Sequence, residues 1–197
     1  MRRKHTPVPD NAELEPVTEQ SRMARKKKYK RREARGWIIS ILAAVAIALL
    51  LRFFVFEFIR VEGPSMEPTL TTNEYVFMEK VTYYFAEPQI GDIVICHFPN
   101  RSETFVKRVV GTEGDTVAIT DGVLYINGSE SSDYYKEKMN ADMQEITVPQ
   151  NAVFVMGDNR NHSMDSTSAS IGALPYEMIL GKAVFVLWPL DQMHGLQ

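Results

Sequence analysis

The chain has 197 residues, 45% of them hydrophobic, which is enough for one domain of ordinary size with appendages. Its net charge of −3 hides a split: residues 1–52 hold 13 Lys/Arg against 5 Asp/Glu, while residues 53–197 hold 9 against 20. The single cysteine, Cys96, excludes an internal disulfide and a thiolate metal site, and there is no His-Glu-x-x-His motif.

Residues 1–35 read as a disordered basic tail, with Pro7, Pro9 and Pro16 and no periodic apolar face at its start. A nucleic-acid-binding tail is the competing reading. It is set aside because the basic cluster (Arg22 to Arg35) abuts an apolar run directly. That run, Gly36 to Leu51, is 16 residues without a charge, or roughly 24 Å as a helix, a little short of a ~30 Å hydrocarbon core. It continues past Arg52 into Phe53, Phe54, Val55, Phe56 and Phe58, aromatics suited to the far interface. The predicted anchor is therefore 36–58.

A cleavable export signal is opposed by the length of the preceding region and by the Arg-Phe-Phe-Val-Phe that follows. An uncleaved anchor with its basic side cytoplasmic sends residues 59–197 outward, as a single-pass protein of a bacterial cell membrane. The partners this implies are membrane lipid and no nucleic acid.

Beyond residue 58 short strands are predicted at Tyr75–Met78, Ile93–Phe98, Phe105–Val110, Val153–Met156 and Ala183–Trp188. Thr116–Thr120, Asp121-Gly122 and Val123–Asn127 form a hairpin signal, since Asp-Gly supplies the positive φ angles of a type I′ turn. A helical turn is expected around Pro175–Leu180, and a polar surface insertion over 128–145. The sum is a mainly β domain, with no nucleotide-binding βαβ unit.

Two segments carry the chemistry. Gly63-Pro64-Ser65-Met66-Glu67-Pro68-Thr69-Leu70 holds a serine in a Pro-flanked turn. Phe105-Val106-Lys107-Arg108-Val109-Val110-Gly111 puts a lysine in an apolar strand. A serine hydroxyl is a poor nucleophile until a base takes its proton. A lysine serves as that base only when neutral, and burial among Phe105, Val106, Val109 and Val110 depresses its pKa. Both segments also admit plain readings: a surface turn, and a lysine facing water. Alternation allows only one of Lys107 and Arg108 on the inner face. Cys96, in an alternating stretch, reads as a small core residue. His162, beside Ser163, admits a Ser-His reading, though no other histidine has a triad context.

Joined in this order to Met156-Gly157-Asp158-Asn159-Arg160, the segments resemble type I (leader) signal peptidases, over roughly Trp37 to Pro189. The resemblance implies a fold of antiparallel sheets, no cofactor, and a monomeric endopeptidase. It would remove signal peptides from exported preproteins after small-x-small sites. By resemblance Ser65 is the nucleophile and its N–H the oxyanion donor, Lys107 is general base and then acid, and Ser163 orients the amine. Asp158 pairs with Arg108 as a scaffold. Ile59, Val61, Ile95 and Val106 fall where pocket-lining residues belong, and each is equally explained as core.

Two positions depart from the pattern. Gly63 stands where some members have a serine, as in the Gram-positive-like, single-span branch. Thr167 replaces a common arginine, so Asp165 needs another partner. A self-cleaving repressor-type Ser/Lys protease shares the dyad but has a DNA-binding head where this chain has an anchor. A catalytically inert anchored β-domain is the alternative outside the enzymes.

Overall fold

The computed structural model describes residues 19–131 and 138–196. The chain divides into two compact units, residues 1–48 and 49–197.

One α-helix occurs among the described residues, α1 (Glu19–Phe54). Its stretch Arg32–Phe54, 23 residues, is apolar enough to cross a membrane and none of it is buried in protein. At 1.5 Å per residue it spans roughly 35 Å, which covers a ~30 Å hydrocarbon core. Two expectations need correction here. Residues 19–35, expected to be disordered, are helical: between Pro16 and Gly36 lies neither Gly nor Pro, and Lys, Arg, Glu, Ala and Met favour helix. The remainder of the expected tail, 1–18, lies outside the described residues. At the other end the helix stops at Phe54, so Phe56 and Phe58 are not part of the anchor but begin the sheet.

The second unit is mainly β. In chain order its strands are β1 (Phe56–Arg60), β2 (Tyr75–Glu79), β3 (Ile93–His97), β4 (Thr104–Gly111), β5 (Thr116–Thr120) and β6 (Val123–Ile126). There follow β7 (Ser129–Glu130), β8 (Met143–Thr147), β9 (Ala152–Met156), β10 (Leu174–Pro175), β11 (Ile179–Trp188) and β12 (His194–Gly195). The larger sheet runs β1-β2-β11-β3-β4-β9-β10 with β12 on β11; the smaller runs β7-β6-β5-β8. Among the described residues these strands pair antiparallel throughout.

Local chemistry explains the elements. Asp121 and Gly122 adopt φ of 51° and 73°, and their turn joins Thr120 to its partner Val123. Phe56, Phe58 and Phe77 pack as tilted rings across β1 and β2, with ring centroids 5.4–5.8 Å apart. Pro175 starts a 3-10 turn over Tyr176–Met178, and Ile179 and Leu180 already belong to β11. The expected polar insertion holds β7 and the start of β8; its residues 132–137 lie outside the described set.

The two sides of β3 and β4 decide the site. Ile93 and Ile95 enter one core cluster with Val61, Met66 and Leu70, whereas Val94 and Cys96 enter another with Val109 and Val155. A strand covered on both faces buries every residue. Lys107 and Arg108 are accordingly both buried, at 2% and 6% exposure. The one-face rule drawn from alternation fails here because β4 has no solvent face at that point.

Candidate active site

The Ser65 turn is held down by its apolar members. Met66 and Leu70 are buried in the first core cluster, and Leu70 N–H donates to the Met66 carbonyl at 2.9 Å. Glu67 N–H closes the turn on the Pro64 carbonyl at 3.1 Å. With its neighbours anchored inward, half-buried Ser65 faces a cleft of about 460 Å³. Ile59, Arg60, Val106 and Lys107 also line it.

Lys107 reaches this cleft from β4. Its Nζ lies 2.7 Å from Ser65 Oγ, donating to the hydroxyl oxygen. Burial pushes the amine below its ordinary value of 10.5, opposed by the negative charges of Asp165 and Asp158. Cys96 behind it is pushed up to about 12 by burial, so it remains a neutral thiol in the core. With the amine neutral, the same separation lets the Ser65 O–H donate to the Nζ lone pair, the geometry for proton removal.

A buried ion pair connects the two segments. Arg108 donates to Asp158 through Nε and Nη2, both at 2.9 Å, and through Nη1 to the Gly91 carbonyl at 2.8 Å. Asp158 also accepts from the Thr69 hydroxyl, so one carboxylate ties the lysine strand to the serine turn. Thr69 is a contributor that the sequence reading passed over, although it stands four residues after Ser65. Gly157 completes the junction. A Cβ there would strike the Ser65 carbonyl oxygen and Ser163 Oγ, and would lie 2.6 Å from Ser163 Cβ. Only a residue without a side chain lets the two segments touch.

The remaining expected residues divide. Ser163 does not hydrogen-bond to Lys107; its Oγ is buried against Gly157 without a partner among the described residues. The extended backbone that follows the Arg160–His162 turn aims this side chain at Gly157. Asp165 finds its partner at the departing position itself: Thr167 donates through Oγ1 at 2.7 Å and N–H at 3.1 Å, and Gly157 N–H adds 3.0 Å. Ile59 and Val106 line the cleft, but Val61 and Ile95, at 3% and 0% exposure, are core residues that do not line it. His162 contacts Asn159 rather than a serine. No group of three or more His, Cys, Asp or Glu among the described residues is arranged to hold a metal.

The family described as "Signal peptidase, peptidase S26" matches residues 34–188, which include the turn, the lysine strand and the Gly157–Asn159 segment. The chain belongs to the signal peptidase family. Signal peptidase I of Bacillus licheniformis is 40% identical over 169 residues, covering 80% of this chain and 90% of that protein. Signal peptidase I T of Bacillus subtilis (strain 168) is 38% identical over 169 residues, covering 80% and 87%. These relatives agree with the Gram-positive-like branch that Gly63 implies. A crystal structure of a signal peptidase I from Enterococcus faecalis is 31% identical, covers 49% of this chain and 97% of that one, and superposes with a TM-score of 0.43.

Proposed function

We propose that this signal peptidase family member is a membrane-anchored Ser/Lys endopeptidase that removes signal peptides from exported preproteins after Ala-x-Ala-like sites. The observation that carries this reading is the 2.7 Å approach of a buried lysine amine to a turn serine inside a cleft. Ser65 Oγ attacks the scissile carbonyl carbon as its proton passes to Lys107 Nζ, and the carbonyl π pair moves onto the oxygen. Collapse of this tetrahedral adduct expels the new amino terminus, which takes the proton back from Nζ. Water then attacks the acyl carbon as the same amine takes its proton, and collapse breaks the bond to Ser65 Oγ, which takes that proton back as the acyl group leaves as a carboxylic acid. The Ser65 N–H serves as oxyanion donor.

Specificity follows from the cleft walls. Ile59 and Val106 supply apolar wall to the cleft, the surface on which small apolar side chains are proposed to sit, while the strand edges beside it would offer main-chain partners to an extended peptide. The enzyme acts as a monomer without a cofactor. Arg32–Phe54 sits in lipid, the basic residues before it stay cytoplasmic, and the β unit faces outward.

The test is release of the mature protein from an Ala-x-Ala precursor by the wild type, Ser65→Ala and Lys107→Ala. Processing by the wild type alone supports the reading, and equal processing by all three excludes it. A self-cleaving repressor-type enzyme would instead cut its own chain at a rate independent of concentration.

A further inference from the structure

Asn159 lies outside the Ser65–Lys107 pair, yet both of its nitrogens reach the turn. Its Nδ2 donates to the Pro64 carbonyl oxygen at 3.2 Å, and its backbone N–H donates to the Ser65 carbonyl oxygen at 3.1 Å. The peptide units on both sides of Ser65 are thus tied to the segment that carries Gly157. The Pro64 carbonyl and the Ser65 N–H belong to one trans peptide, so they point in opposite directions and fixing one aims the other. That N–H donates to no acceptor among the described residues, and Ser65 lines the cleft. The Asn159 amide is itself oriented. Its Oδ1 lies 3.1 Å from His162 Nδ1, which must carry the proton, and this leaves Nδ2 as the donor to Pro64. Glu67 N–H takes the other lone pair of the Pro64 oxygen, but it belongs to the turn and moves with it.

We propose that Asn159, steadied by His162, is a positioning residue that aims and polarises the Ser65 N–H toward the oxyanion. Hydrogen bonds in series strengthen one another, so the row from His162 through Asn159 and the Pro64 peptide ends on a sharpened donor. Its contribution grows as negative charge develops on the substrate oxygen, which places the effect in kcat rather than in KM. The inference rests on Ser65 being the nucleophile.

The experiment uses the full chain in detergent with an Ala-x-Ala peptide substrate, comparing the wild type with Asn159→Ala, Asn159→Asp and His162→Ala. A peptide aldehyde, whose adduct with Ser65 carries the oxyanion, reports transition-state affinity, and the cleaved product peptide reports ground-state affinity. Complete loss of an oxyanion donor costs on the order of 100-fold or more in kcat. Misaiming it in Asn159→Ala is expected to cost about tenfold, with KM and product affinity within about twofold. Aldehyde affinity should fall by the same factor, and the pH midpoint of activity should stay in place. Asn159→Asp, which turns a carboxylate toward the Pro64 oxygen, should lose at least as much, and His162→Ala about threefold. Unchanged kcat in Asn159→Ala, or lost kcat with aldehyde affinity intact, overturns the proposal. Should Asn159→Ala fail to fold, the exposed His162 decides the matter through the same two readouts. A wild type that does not cleave, or a Ser65→Ala variant that still does, marks failure of the nucleophile reading instead.

Discussion

At the scale of single residues, a lysine amine with 2% exposure is expensive to keep charged, and that expense sets its chemistry and its response to pH. Its value in the folded chain lies below the 10.5 of a free lysine. Between the two values the unfolded chain binds the extra proton, so stability rises with pH across that window and is lowest beneath it. Activity should rise in the same direction as the amine becomes a base, with a midpoint below 10.5 in a pH–rate profile of kcat/KM. Lys107→Met should abolish cleavage yet raise Tm at neutral pH, by about 2–4 °C for each kcal/mol of relieved charge burial. Melting curves should show that gain shrinking as pH approaches 10.5. Gly157→Ala is the complementary case: the added methyl displaces the Ser65 carbonyl or Ser163. It should lower stability by about 1–3 kcal/mol and kcat by more than tenfold, measured by denaturant titration and turnover.

At the scale of elements, the link between β4 and the serine turn runs through Asp158, whose side chain is fully buried against Arg108. Removing one partner leaves an uncompensated charge, so Asp158→Ala should cost about 3–5 kcal/mol in denaturant unfolding. The double change Arg108→Met with Asp158→Leu should recover most of that stability without restoring turnover, because the Thr69–Asp158 hydrogen bond to the serine turn would still be missing. Much of this scale was legible in the sequence. The Asp121-Gly122 hairpin, the apolar run of β3 and the buried strand β9 each carry a local signature that tertiary contacts did not override. β1 did not, because Phe56 and Phe58 prolong an apolar run and only their packing on Phe77 shows them to be strand. β8 (Met-Gln-Glu-Ile-Thr) is too polar to stand out. At the site, the Ser65 and Lys107 segments could be singled out from their composition and order. The joint burial of Lys107 and Arg108 could not, since it depends on Asp158, fifty residues further along the chain. The partner of Asp165 was hidden for another reason: Thr167 answers with a neutral hydroxyl where a cation was sought.

For the whole molecule, the charge split and the apolar stretch Arg32–Phe54 carry the proposed arrangement across a membrane. Trypsin added outside intact cells should therefore reach sites beyond residue 54 while the basic segment before residue 36 stays protected. Protection of the opposite part would reverse the orientation. The edges of the larger sheet bear on when such an enzyme can act. β1 pairs only with β2, and β9 joins β4 only from Arg108 onward, so no described strand covers the second edge of Thr104–Lys107. The amides and carbonyls exposed there can be satisfied by a visiting chain whose own backbone is still unengaged. A segment inside a helix, or paired on both sides within a sheet, has none to offer. On the proposed function, selection by maturity would add to selection by side chain, with newly emerged polypeptide cut and finished proteins carrying an Ala-x-Ala sequence spared.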